Sequence, residues 1–380
     1  MTGSRAGSAT WVALLALLCA CAGGPDDPAS DASGGRRATG VDDLDLGPRL
    51  GRIQDSNILR EPGWHVWGAS VVRGDDGIYH MFYSRWPEGM AGRDPGLPSD
   101  KRFEGMRGWN KYSEIAYARA KSPAGPYASQ STVLRGTHVE GDWDRYTAHN
   151  PHIKKFGGKV YLYYVSNHPV PDEDIWYSHI GGQCIGVIVA DSIDDLARGL
   201  FRRPKRPIVQ PDGLRTFHRA VNPSVTQGPD RRYYMMFKSY NTRSGRGGHM
   251  CHWMAVADDP AGPFVLAGPA FDKAEFAAED PYLWYDRRRD RFYAIVKNFR
   301  KDGALAKQRG ALALVTSDDG LHDWRPAAHP LVTNRRYEDA EGRERTLAHP
   351  ERPQLLLDES GRAHRSAPAA PTPPHVRRPP

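Results

Sequence analysis

Five stretches of the chain repeat one plan, and that repeat limits the folds open to it. Each has a polar start, usually with a proline, then an apolar run, a turn and an aromatic-rich run. They are VWGASVVRGDDGIYHMFYSRW (66–86), HNPHIKKFGGKVYLYYVSN (149–167), VNPSVTQGPDRRYYMMFKSY (221–240), EDPYLWYDRRRDRFYAIVKNF (279–299) and ERPQLLLDESGRAHR (351–365). β-Branched and aromatic residues on both sides of a Gly-Asp, Gly-Gly, Gly-Pro-Asp or charged turn are the pattern of a β-hairpin. A small-residue-rich strand follows each of the first four: IAYARAKSPAGPY (115–127), IGVIVADSIDDL (185–196), MAVADDPAGPF (254–264) and LALVTSDDGLHDW (312–324). Pro151, Pro223, Pro281 and Pro353 stand 72, 58 and 72 residues apart. A period of this size with about four strands per repeat predicts an all-β fold, a five-bladed β-propeller. Long helical patterns are nearly absent, and residues 100–114 and 137–148 read as loops.

The ends fall outside the repeat. Arg5 and the apolar run WVALLALL (11–18) read as a signal peptide, too short to span a bilayer as a mature helix. Leu18-Cys19-Ala20-Cys21 resembles a bacterial lipobox. That resemblance implies cleavage before Cys21, a lipid on its sulfur and a place at the outer membrane, facing the periplasm or the cell surface. Ordinary secretion with cleavage nearby is the alternative. Residues 22–45, rich in Gly, Asp, Ser and Ala, read as a flexible tether. The propeller is expected over 46–362, and 363–380, with its prolines and arginines, as a disordered tail. A fifth blade with one hairpin at most leaves two outcomes. Either residues 46–66 supply the missing strands, or the last blade is incomplete.

Strand starts of the form x-Asp-Pro or Glu-x-Pro, with KSPAGPY and DDPAGPF closing two of the third strands, resemble the five-bladed propeller glycoside hydrolases of families 43, 32 and 117. The resemblance covers about residues 50–362 and implies a glycosidase using carboxylate general acid/base catalysis. It places the proton donor at the Glu of a Glu-x-Pro start and the base or nucleophile at the Asp of a blade-one x-Asp-Pro start. Glu279 and Glu351 match the first position. Asp280 matches x-Asp-Pro, but in blade four. His349 is a further acid or orienting group by the same resemblance, through the family 117 enzymes. Blade one reads WHVWGAS, without the aspartate, and blade two carries Asn150 where an aspartate is usual. Asp55 and Asp144 are the nearest replacements along the chain.

Proline is tolerated at the first residue of a strand, where no ladder donor is lost. The residues just before each proline should therefore ring one mouth of the central channel. They are His149-Asn150, Val221-Asn222, Glu279-Asp280 and Glu351-Arg352, with Trp67-Gly68 at the corresponding place in blade one. Amides, an imidazole, an indole and carboxylates together suit a sugar, hydroxyl by hydroxyl and face by face. The catalytic candidates are Glu279, Asp280 and Glu351. The substrate-binding candidates are Trp67, Arg85, His149, Asn150, Asn222 and His349, with Trp86 beside them. Asn150 and Asn222 read equally as turn residues bonding their own backbone. Alternation along a strand predicts that Glu279 and Asp280 face opposite ways.

Other chemistry is not written in the chain. There is no HExxH, P-loop, GxSxG or dinucleotide fingerprint, so no cofactor is expected. The 15 histidines show no metal spacing, and two cysteines beyond the leader, Cys184 and Cys251, cannot build a zinc site. Those two form either one disulfide or two buried thiols. The +7 net charge and pI near 9.2 come from scattered arginines whose densest runs, 231–232 and 287–289, read as solvated turns, so nucleic acid is not expected as a partner. The expectation is a monomeric, membrane-anchored hydrolase, exo-acting on a plant or algal oligosaccharide. The alternative is a surface glycan-binding propeller without catalysis.

Overall fold

A computed structural model of the chain describes residues 40–89, 100–172, 174–241, 249–271, 273–348 and 350–357. The lipobox with Cys21, the Pro/Arg-rich tail and His349 lie outside the described residues. Among the described residues no helix is long and apolar enough to cross a membrane.

Four blades follow the repeat. Blade one is a meander of β1 (Trp64–Arg73), β2 (Tyr79–Pro87), β3 (Glu114–Ala120) and β4 (Ala128–Leu134). Blade two runs β5 (His149–Phe156), β6 (Lys159–Asn167) and β7 (Gln183–Ala190), with its outer edge made by single bridges to Arg202 and Val209. Blade three is β8 (Thr216–Gln227), β9 (Tyr233–Asn241), β10 (Met250–Ala257) and β11 (Val265–Pro269). Blade four is β12 (Ala278–Asp286), β13 (Arg291–Asn298), β14 (Leu312–Ser317) and β15 (Arg325–Thr333). The two Ser/Asp-Pro-Ala-Gly-Pro segments form the turns after β3 and β10. Short helices appear where loops were expected or beside them, at Trp109–Tyr112, Ile175–Gly181 and Ile193–Ala197.

The fifth position is filled differently. A small hairpin of β16 (Arg336–Glu338) and β17 (Glu344–Thr346) leads to an extended inner segment, 350–357, that belongs to no four-stranded sheet among the described residues. Residues 44–53 pack onto this blade. Ile53 bridges Asp339, and Leu44, Leu46 and Ile53 are buried with Leu347, Leu355 and blade-four residues in one core. Residues 42–45, expected in the tether, are therefore packed: Tyr293 donates to Asp42 at 2.9 Å, and Arg289 pairs with Asp43. Arg289 itself is a correction to the solvated-turn reading. It is buried, held at 2.8 Å by Asp286, whereas Arg287 and Arg288 are exposed.

Apolar cores fill the seams between neighbouring blades, and the series returns on itself. One core joins blades one and two, the next two and three, then three and four, four and five, and finally Leu356 with Val71 and Met81 between five and one. Cys184 and Cys251 are separate buried thiols, and burial pushes the Cys184 thiol up to about 12.

A second ring of contacts lies inside the cores. Each inner strand has a polar side chain two positions past its pre-proline residue, and each reaches the next blade. Ser70 Oγ accepts from the Ile153 amide at 3.1 Å, His152 Nε2 from the Val225 amide at 2.9 Å, and Ser224 Oγ from the Leu283 amide at 2.8 Å. Tyr282 donates to the Leu355 carbonyl at 2.6 Å, and Ser70 donates to Gln354 Oε1 at 3.0 Å, which closes the circle. His152 must be neutral to accept, and burial holds its pKa well below the usual value. Replacing Gln354 by alanine should lower stability by ~1–3 kcal/mol, because it leaves the Ser70 hydroxyl buried without that acceptor. Urea unfolding of wild type and Gln354→Ala would measure it.

Candidate active site

The four pre-proline residues and Gly68, their counterpart in blade one, all lie in the left-handed region: Gly68 at φ 52°, Asn150 at 49°, Asn222 at 57°, Asp280 at 57° and Arg352 at 51°. In each of the four regular blades the pairing register between the first two strands slips at this point. An extra residue in a strand re-aims the side chains beside it. This overturns the expectation for Glu279 and Asp280. Alternation fails across the bulge, and both carboxylates line the same cavity.

That cavity, of about 170 Å³, opens at the upper mouth of the channel. Its deeper wall is a hydrogen-bonded series: Asn150 Nδ2 donates to Asn222 Oδ1 at 2.7 Å, and Asn222 Nδ2 to Asp280 Oδ1 at 2.6 Å. The two asparagines thus bond across blades rather than to their own backbone. Gly68 completes the ring without a side chain. A Cβ there would sit 2.6 Å from Asn150 Oδ1 and 3.5 Å from Arg352 Cγ, so the place of the missing blade-one aspartate is already filled by neighbours.

The charged centre is Lys297 on β13. Its Nζ lies 2.5 Å from Glu279 Oε1, 2.5 Å from Glu351 Oε1 and 3.6 Å from Asp280 Oδ2. Lys238 on β9 holds the other oxygen of Glu279 at 2.7 Å. Oxygens of Glu279, Asp280 and Glu351 all lie within 4.8 Å of one another, a spacing that could ligate a metal ion. Here the Lys297 ammonium already supplies a cation between them, so the donor set has its counter-charge without a metal.

The two glutamates are driven apart electrostatically. Burial alone would raise Glu279, but Lys238 and Lys297 outweigh it and hold that carboxyl well below the usual range. Glu351 goes the other way. Its burial, reinforced by the charges of Asp280 and Glu279 and opposed by Lys297, pushes it well above the usual range. Asp280 Oδ2 is buried with no donor, and a protonated Glu351 would supply one. An ionised and a protonated carboxyl side by side are the division of labour that acid/base catalysis needs.

Aromatic residues form the opposite wall. Trp67, Trp86 and Trp109 line the cavity with His149. His149 stacks on Trp109 with centroids 5.0 Å apart and bonds Ser113 at 2.8 Å. Burial drives its pKa down to about 3, so it is a neutral hydrogen-bonding group and not an acid. Trp109 comes from the loop 101–112, which the repeat does not contain.

The remaining sequence candidates lie elsewhere. Arg85 does not line the cavity. It pairs with Glu61 and, at 2.7 Å, with Glu114, and sits over the Trp64 ring, so it serves blade one's own framework. Asp55 is exposed beside Arg60, and Asp144 is buried between Tyr164 and Arg203. Lys238, Lys297 and Arg219 line the site or hold its acids, and the repeat did not single them out. The available signal was a single lysine inside an otherwise apolar strand, in YYMMFKSYN and RFYAIVKN.

No protein-family model matches the sequence, and no curated protein matches it. Solved structures do. The chain is similar to Zg3597, a family 117 glycoside hydrolase of the marine bacterium Zobellia galactanivorans, at 17% identity over 73% of each chain, with a TM-score of 0.51. It is similar also to an inulosucrase from Halalkalicoccus jeotgali, solved with kestose, at 16% identity over 76% of this chain and 78% of that one, with a TM-score of 0.50. The fold is that of the five-bladed propeller glycoside hydrolases. At these identities it is the fold that is shared.

Two outcomes follow from the charges. Lys297→Met leaves three carboxyls facing each other around an apolar chain and should cost about 3–5 kcal/mol of stability, as removal of one partner of a buried pair does; denaturant unfolding would read it. Glu351 holds a proton in the folded chain that the unfolded chain releases above about pH 4.3. Its contribution to stability is complete below that value and is lost as pH rises through the raised folded value. Wild-type melting temperature should therefore fall with rising pH across that window more steeply than that of Glu351→Gln.

Proposed function

We propose that the chain is a glycoside hydrolase whose upper channel pocket protonates and cleaves a glycosidic bond. The observation that carries the reading is the set of three carboxyls gathered on Lys297 opposite a tryptophan wall. Glycoside hydrolysis needs one carboxylic acid for the leaving oxygen and one carboxylate for water or for direct attack. Glu351 is the group suited to donate the proton, and Glu279, kept ionised by two lysines, the group suited to the second role. This reverses the roles that the Glu-x-Pro resemblance implied for Glu279. Asp280, fixed by Asn222, is the acceptor beside Glu351 and tunes it.

A pocket of this volume takes about one sugar ring, which supports attack at a chain end. The substrate class is a plant or algal oligosaccharide. The leader, with Cys21, supports a lipoprotein of the outer membrane acting on saccharides outside the cytoplasm. The other reading, a glycan-binding propeller without turnover, is favoured by one observation: Gly68 leaves blade one without an acid in the ring.

A hydrolysis screen over aryl glycosides and plant and algal oligosaccharides separates them. Glu351→Gln and Glu279→Gln should each lower kcat by ~10²–10⁴-fold with the fold intact. Turnover should fall as pH rises through the raised Glu351 value and be restored on return. Undiminished turnover in both variants removes these residues from the mechanism. Retention of a glycan without turnover selects the binding reading.

A further inference from the structure

The inner ring of hydrogen bonds divides the channel in two, and the lower compartment is the larger. It is a cavity of about 950 Å³ lined by the far halves of the inner strands, from Ser70 in blade one to Leu357 in blade five. Nothing in the proposed hydrolysis uses it.

Its lining is rich in donors and poor in acceptors. Lys154, on β5, points its Nζ at Tyr282, 3.2 Å from the hydroxyl oxygen and 4.8 Å from the ring centroid. That hydroxyl already donates to Leu355, so it can accept only one of the three ammonium protons. Among the described residues Lys154 has no carboxylate partner. Gln354, 2% exposed, gives its oxygen to Ser70, and its Nε2 has no acceptor among the described residues. Arg73, Lys155 and Arg287 add positive charge to the lining, and Asp75, paired with Lys155 at 2.5 Å, is the single acid among the described lining residues. A half-buried ammonium and a fully buried amide donor face one cavity, and the amide donor costs free energy unless something in the cavity accepts from it.

We propose that the lower compartment is an anion site, taking a small oxyanion of the sulfate or phosphate class between Lys154 and Gln354, either free or as the ester group of a saccharide. Sulfate carries acceptor oxygens only, and phosphate carries mostly acceptors, the complement of these donors. The cationic rim raises the local anion concentration at the opening.

The site has its own pH signature. Burial lowers the Lys154 amine to about 8. The groups facing it are Tyr282 on β12, neutral His152 on its own strand, Arg73 and the Lys155–Asp75 pair at the rim, and Arg287 with the Tyr285–Asp290 pair from the β12–β13 turn. Burial pushes the Tyr282 and Tyr285 hydroxyls up and His152 down, away from that range, so loss of anion binding near pH 8 would report Lys154.

The test is equilibrium dialysis of radiolabelled sulfate, inorganic phosphate and a sulfated monosaccharide against the full chain at low ionic strength. Wild type should bind one equivalent saturably at pH 6.5, with affinity falling as pH rises through about 8. Lys154→Met should weaken binding by about tenfold or more, the worth of a charged hydrogen bond. Lys154→Arg should bind through pH 9 without that fall. In wild type the bound anion should also shield Lys154 from acetylation, read by peptide mass spectrometry, which needs no variant to fold. Preference for inorganic ions assigns a free anion, and preference for the sulfated sugar assigns an ester. No saturable site, equal affinity in Lys154→Met (an adventitious ion only, on the arginine rim), or unshielded acetylation overturns the proposal.

Discussion

The closed circle of side chain–to–next-blade hydrogen bonds is the constraint on which the rest depends. Ser70, His152, Ser224, Tyr282 and Gln354 stand at one repeat position and use four chemistries for one task. A backbone group at the axis of a propeller is remote from water and must be bonded internally. These side chains satisfy such groups across four of the five seams, while the apolar cores outside them bury the blade faces. The fifth link differs from the others, since Gln354 meets a side chain and not a backbone amide. It is also the link made by the incomplete blade.

Two residues before each of these side chains, the left-handed kink sets the upper face. A kink in one strand would be a local feature. Five at one level turn the residues around them toward the axis, and the channel mouth becomes an array of amides, acids and a guanidinium. Within it Lys297 decides where charge can reside. Two lysines secure the ionised form of Glu279, and the burial and negative neighbours that remain fall on Glu351. Two glutamates one blade apart, each in a Glu-x-Pro start, are thereby made unequal by their second-strand neighbours.

Much of this was legible in the residues. The hairpin repeat located the inner strands of four blades and the pre-proline ring, including Glu279, Asp280, Glu351, Asn150 and Asn222, because proline and the turn residues mark strand starts by their own stereochemistry. What escaped depends on contacts far apart in sequence. Lys297 looks like a strand residue until β12 lies beside β13. Arg85 looks like a mouth residue until Glu61 and Glu114 are seen to hold it. The opposite orientation expected for Asp280 failed because alternation assumes a regular ladder, and the bulge breaks it. Residues 42–45, read as tether, carry too little pattern to announce that they pack against the last two blades.

Glu351 belongs to that last blade, whereas Lys297, Glu279 and Asp280 belong to the one before. Glu351 therefore reaches the cluster across the seam between the last two blades, so the grouping of the three carboxyls depends on how the last blade docks on blade four. Slippage at that seam would part Glu351 from Lys297 and leave Glu279 with its two lysines but without the second glutamate.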